Sequence, residues 1–80
     1  MPYVYILRCA DGTYYTGWAV DVARRVAMHN AGQGARYTRT RRPVMLVYQE
    51  EAADRVAAMK REARIKRFSR QQKERLVRGG

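Results

Sequence analysis

Eighty residues allow one domain, with a core near the lower size at which a chain folds alone. Seventeen Lys and Arg against seven Asp and Glu give a formal charge of +10, which points to a polyanionic partner such as DNA or RNA. No apolar run approaches a spanning length and no N-terminal stretch has the pattern of a signal peptide, so no membrane role is expected.

Cys9 stands alone, which excludes a disulfide framework. It lies in an apolar run and reads as a small core residue. A reducing, cytoplasmic location is the expected setting. One histidine and one cysteine cannot close a zinc site. The chain has no Gly-rich phosphate loop followed by Lys-Ser or Lys-Thr, and no carboxylate pair suited to glycoside chemistry. With no room for a second lobe, function is expected on one face of a single sheet or helix cluster.

Tyr3 to Cys9 is rich in aromatic and β-branched residues and predicts a strand. Ala10-Asp11-Gly12 is a turn signal, and Thr13 to Trp18 predicts a second strand, so the two form a hairpin. A two-residue Asp11-Gly12 loop would set Tyr15 opposite Arg8. A three-residue loop, with Gly12 left-handed in a bulge, would set Tyr15 opposite Leu7 and put Tyr5 and Tyr15 on one face. The residues alone leave both registers open.

Asp21 is suited to cap a helix running from Val22 to about Ala31 and stopping at Gly32. Val22, Val26, Ala23 and Asn30 are expected to face inward. Arg25 and His29, four apart, share one side. Gly32 to Pro43 reads as a loop in which Arg36, Arg39, Arg41 and Arg42 are interleaved with Tyr37, Thr38 and Thr40. Its charge, hydroxyls and stacking ring make it the expected nucleic-acid contact.

Val44 to Tyr48 predicts a third strand. Glu50 to about Phe68 predicts the longest helix, with Ala52, Val56, Met59 and Ala63 as its buried stripe. Ser69 opens a last helix, with Gln72 completing a capping box, and this helix ends at Gly79. The expected order is ββαβαα, an α+β chain forming one domain over residues 1–80.

Phosphodiester hydrolysis needs a base near the attacking water, a cation near the developing charge and help for the leaving oxygen. Tyr5, Tyr15, Arg25, His29 and Glu62 supply these types. A tyrosine serves as base only if nearby positive charge or a metal pulls its pKa well below about 10. A lone glutamate can hold Mg²⁺ whose other ligands are waters and phosphate oxygens. Glu62 is expected beside Met59, at the edge of the buried stripe. The ordinary alternative for it is a surface pair with Lys66.

Taken together, these residues resemble the GIY-YIG nuclease domain, and most of all its small single-domain bacterial members. Tyr3-Val4-Tyr5 matches the first motif and Tyr15-Thr16-Gly17 the second. Asp21, Arg24-Arg25, His29-Asn30, the Gly32–Pro43 stretch and Arg61-Glu62-Ala63 through Ile65-Lys66 match in order and spacing, from Tyr3 to about Leu76. The resemblance implies a three-stranded antiparallel sheet flanked by helices. It also implies that Tyr15 is the general base or orients the water, with Tyr5 in support. Arg25 would bind the scissile phosphate, His29 would assist proton transfer, and Glu62 would anchor one Mg²⁺ or Mn²⁺. Both tyrosines must then reach one site, which selects the three-residue loop with Gly12 in the bulge.

The chain departs from the family pattern at three places. Tyr3 replaces the motif glycine, Thr16 replaces a branched aliphatic residue, and Trp18 stands where some members carry a lysine. The expected function is a metal-dependent endonuclease, or more broadly a phosphodiesterase, acting on DNA in repair or processing. Arg36, Tyr37, Thr38, Arg39, Arg41 and Arg42 would grip the strand. Activity should rise with pH through the neutral-to-alkaline range. The alternatives are a non-catalytic nucleic-acid-binding module that kept the fold, and a basic accessory protein contacting structured RNA.

Overall fold

The computed structural model describes residues 1–79. The chain runs β1 (Tyr3–Arg8), β2 (Tyr14–Ala19), α1 (Val22–Asn30), α2 (Arg36–Arg39), β3 (Met45–Glu51), α3 (Arg55–Lys66) and α4 (Arg70–Gly79). The strands form one antiparallel sheet in the order β2-β1-β3. This is the expected α+β architecture with one added element. The four-residue helix α2 interrupts the stretch read as loop, because the Arg39 amide closes a helical turn on the Ala35 carbonyl at 3.2 Å.

β1 is the middle strand, and both its faces are covered. Tyr5, Leu7 and Cys9 pack with Val22 of α1, while Val4 and Ile6 pack with Ala58 and Ile65 of α3. Alternate side chains of a strand point to opposite faces, so a strand buried on both reads as the unbroken apolar run from Tyr3 to Leu7.

The hairpin has the three-residue loop. The Cys9 amide donates to the Thr13 carbonyl at 2.8 Å, and Gly12 is left-handed at φ 85. Leu7 therefore pairs with Tyr15 and Tyr5 with Gly17, which puts both tyrosines on the α1 side of the sheet. Asp21 caps α1 through the Arg24 amide, as expected. The inward stripe of α1 is Val22, Val26 and His29, so Ala23 is left exposed. Asn30 instead bridges to the start of β3, accepting from the Val44 amide at 2.7 Å and donating to its carbonyl at 3.1 Å.

The long helix starts later than its composition suggests. Glu50 and Glu51 pair with Val4 and Tyr3 in the sheet, and Asp54 is the N-cap, accepting from the Ala57 amide. Its buried face is also displaced. Ala58 and Ile65 are fully buried, whereas Val56 and Met59 are 60% and 53% exposed. α3 carries apolar residues on two faces, and the small Ala58 together with Ile65 fits against Val4 and Ile6. Ser69 and Gln72 form the expected capping box on α4.

Thr16 lies opposite Ile6 in a buried position, and its hydroxyl has no hydrogen-bond partner among the described residues. Burying an unpaired hydroxyl costs stability, and valine has the same shape without it. Thr16→Val should therefore raise unfolding stability by about 1 kcal/mol in urea titrations with the slope unchanged.

Candidate active site

β2 is an edge strand, and a cleft of about 590 Å³ opens beside it. α1 supplies Arg24 and Arg25 to the cleft wall, β1 and β2 supply Tyr5 and Tyr15, and α3 supplies Arg55 and Glu62. The two helices cover opposite faces of the sheet. The expectation that function would sit on one face therefore fails: the cleft draws on both faces and is closed across the edge of β2.

Glu62 reaches the cleft because of the displaced face of α3. It lies four residues after Ala58 and three before Ile65, half-buried at the edge of the buried stripe and beside Met59, as expected. Its contact with Lys66 is long, at 3.9 Å. Arg55, seven residues earlier, comes to the same side after two turns. That spacing was readable in the sequence, but the wrong stripe hid it.

Tyr5 and His29 form a buried couple, each 1% exposed, with Tyr5 Oη 3.0 Å from His29 Nε2. Thr38 Oγ1 lies 2.8 Å from His29 Nδ1 and donates to the Ala35 carbonyl at 3.0 Å. A hydroxyl has one proton, so Thr38 accepts from Nδ1–H. Nε2 is then bare and accepts from Tyr5 O–H. The Ala35 amide also points at Nδ1, from 3.4 Å, a longer and weaker contact than the 2.8 Å one with Thr38. Tyr15 packs edge-on to His29 with ring centroids 5.3 Å apart.

Burial pushes the Tyr5 phenol up to about 12; Tyr15 adds to the rise and the Arg25 charge opposes it. Tyr15 is raised too, by burial and then by Glu62, again against Arg25. His29 is lowered, first by burial and then by the Arg25 charge. Neither phenol is an anion at neutral pH, contrary to the expectation that basic surroundings would pull them down. Burial outweighs the one guanidinium close by. Cys9 is buried and its thiol is also raised, which suits a core residue rather than a nucleophile.

The basic stretch from Arg36 to Arg42 differs more from expectation. Thr38 is 0% exposed and engaged with His29, so it cannot grip a strand. Tyr37 stacks with Tyr15 and has the Arg41 guanidinium over its ring at 3.9 Å, so it already makes two ring contacts within the chain. Arg41 also pairs with Asp11 at 3.1 Å. Arg42 donates to the carbonyls of Arg39 and Asn30. Only Arg36 and Arg39 have side chains outside such contacts among the described residues. The stretch was expected to grip nucleic acid; in the structure Arg41 and Arg42 make contacts within the chain, and Thr38 and Tyr37 pack on His29 and Tyr15.

Residues 1–75 match the GIY-YIG catalytic domain. The chain belongs to the GIY-YIG family. This is a nuclease family whose members generally depend on a divalent metal. A UPF0213 protein of Halobacterium salinarum is 58% identical over 76 residues, covering 95% of this chain and 99% of the relative. One of Staphylococcus haemolyticus is 56% identical over 75 residues, covering 94% and 92%. The solution structure of a UPF0213 protein from Bacillus halodurans is 47% identical with a TM-score of 0.60, covering 96% of this chain and 83% of that one. That of a protein from E. faecalis is 42% identical with a TM-score of 0.64, covering 96% and 82%.

The GIY-YIG glycine that is present has a steric reason here. A Cβ on Gly17 would lie 2.6 Å from Tyr5 Oη, so the close pass of β2 over the tyrosine requires its absence. Gly34, within the matched Gly32–Pro43 stretch, does the same for His29: a Cβ there would overlap the imidazole at Nδ1.

No group of three or more His, Cys, Asp or Glu suited to a metal occurs among the described residues. Glu62 is one carboxylate on a cleft wall with open space before it. That set fits a hard cation such as Mg²⁺ or Mn²⁺ completing its shell with water and phosphate oxygens, and does not fit zinc. None of the described helices is long and apolar enough to cross a membrane.

Proposed function

We propose that this chain is a metal-dependent endonuclease that hydrolyses phosphodiester bonds of nucleic acid, with DNA favoured over RNA. The observation that supports it most is the convergence of Tyr5, Tyr15, Arg25 and Glu62 on one cleft, with neutral His29 behind Tyr5. A reducing, cytoplasmic setting accords with the buried free thiol of Cys9.

The hydrogen bonding favours a division of labour different from the one the resemblance implies. Tyr5, not Tyr15, takes the proton of the attacking water as its own proton passes to His29 Nε2. The phenol need not ionise in advance, which accommodates its high pKa. Tyr15, whose ring is fixed by His29 and Tyr37, orients the water. Arg25 binds the phosphate, with Arg24 and Arg55 adding positive charge along the wall. Glu62 would hold a divalent cation, which would supply positive charge for the phosphate chemistry.

The proton path sets the pH dependence. His29 must be neutral to accept, and burial with the Arg25 charge holds its pKa below the ordinary histidine value. The rate should rise with pH below that value and level off from about pH 7 to 9, earlier than the neutral-to-alkaline rise expected from the sequence. Single-turnover rates across this range test it. A rate that keeps climbing tenfold per unit above pH 7 would take the proton from Tyr5–His29 and give it to a water or phenol.

The raised tyrosines also favour a second reading, a non-catalytic module that binds nucleic acid and retains the fold. The purified protein should be tested on plasmid, single-stranded and branched DNA and structured RNA, with Mg²⁺, Mn²⁺ or EDTA. Tyr15→Phe and Glu62→Gln serve as controls for contaminating nuclease. Metal-dependent cutting by the parent alone supports the nuclease. Equal binding without cutting in all three proteins supports the module, and a preference for structured RNA at equal salt redirects the substrate.

A further inference from the structure

With the Arg36–Arg42 stretch largely engaged in internal contacts, a chain of charge +10 needs another surface for a polyanion. The outward face of α3 has the required features. Lys60, Arg64 and Arg67 line a groove of about 620 Å³ together with Ala63, Phe68 and Gln72, and no acidic side chain lines it. These three cations are exposed and have no ion pair among the described residues. The three carboxylates nearest in sequence have other contacts: Glu62 with Lys66, Asp54 in the cap of α3, and Glu74 with Arg70.

Beside the cations lie Val56 and Met59, the apolar pair that points outward. On α3 the side chains pass around the helix from Arg55 and Glu62 at the cleft, through Met59 and Val56, to Lys60, Arg67 and Arg64. A helix with side chains is about 10–12 Å across, so a nucleic acid with one phosphate in the cleft can cross it within a few nucleotides. Cations flanking a short apolar strip match phosphates flanking sugar edges. A second copy of this chain, with the same positive charge, matches poorly.

We propose that this face of α3 is a nucleic-acid docking surface, continuous with the cleft through Arg55, and that it carries the sequence-independent part of binding. The proposal rests on the nuclease reading for the identity of the partner, but not on turnover.

The test uses fluorescence anisotropy of a labelled duplex across a salt series with EDTA present, so that nothing is cut. The full chain is compared with Lys60→Gln/Arg64→Gln/Arg67→Gln and with Arg36→Gln/Arg39→Gln. The triple change should reduce the slope of log affinity against log salt by about 2–3, and weaken binding by roughly 10–100-fold near 0.1 M salt. The double change should have the smaller effect. Met59→Glu, at an exposed position, should weaken binding about tenfold without lowering the melting temperature. An unchanged slope and affinity in the triple variant would overturn the proposal. So would a concentration-dependent dimer that Met59→Glu dissolves, because the face would then belong to a second copy.

Hydrolysis of bis(p-nitrophenyl) phosphate with Mg²⁺ or Mn²⁺ separates the two readings, since this substrate is too small to extend from the cleft to the outward face of α3. Turnover of it by the triple variant at the parent rate, with duplex binding weakened, is the expected pair of results. Weakened duplex binding with no turnover by the parent would sink the nuclease reading and leave the docking surface standing.

Discussion

Glu62→Gln is expected to lower metal-dependent cleavage by at least about 10²-fold while leaving duplex affinity unchanged or slightly higher. The amide keeps the shape of the carboxylate but removes its charge. Glu62 shares the cleft wall with Arg24, Arg25 and Arg55, so the lost charge makes the wall more positive. Phosphate binding therefore improves or holds while the anchor for a divalent cation disappears. The measurement is cleavage over a Mg²⁺ titration, paired with duplex anisotropy at fixed salt. A second effect has the same origin. The Glu62 charge helps to raise Tyr5 and Tyr15, so both phenols should titrate lower in the variant. Cleavage that survives the substitution, or binding that falls in step with it, would remove Glu62 from the chemistry.

Gly34→Ala is expected to cost about 1–3 kcal/mol of stability and most of the cleavage activity together. The added methyl overlaps the His29 imidazole, which Thr38 on one side and Tyr5 on the other hold in place. The backbone or the ring must shift, and either movement breaks the contact of Nε2 with Tyr5. Thr38→Val probes the same clamp without overlap. It leaves Nδ1–H without its acceptor, and a proton held on Nε2 would stop His29 from accepting one from Tyr5. Imidazole ¹⁵N shifts should report the Nδ1–H tautomer in the parent and its loss in Thr38→Val. Thr38→Ser should restore both the tautomer and the rate. An alanine at position 34 with parental stability and rate would show that His29 tolerates displacement, and the clamp would then have no role.

Much of the fold was legible because its signals are local. Asp21 and the Ser69–Gln72 box announce helix starts through hydrogen bonds made within three residues. The two-sided burial of β1 is visible in an apolar run without a polar alternate. Of the residues expected at the site, Tyr5, Tyr15, Arg25 and Glu62 line one cleft, and His29 lies behind Tyr5. Their order and spacing were enough to suggest the family.

What sequence could not decide was which neighbours each residue would meet. Val56, Met59 and Ala63 form as good a helical stripe as Ala58 and Ile65, and periodicity scores them alike. Only contact with Val4 and Ile6 selects the second, and that choice carries Glu62 and Arg55 into the cleft. The basic stretch after Gly32 looks like a solvated contact surface until the turn of α2 buries Thr38 against His29. The tyrosine pKa values follow the same rule. Sequence counts the charges, but burial depends on what packs around a phenol. By itself the sequence determined the three strands, three of the four helices, the hairpin's two possible registers and the kinds of group available for phosphodiester chemistry. The tertiary structure decided which face each helix buries, which cations stay free and which tyrosine has a proton acceptor, because those depend on contacts between residues far apart in the chain.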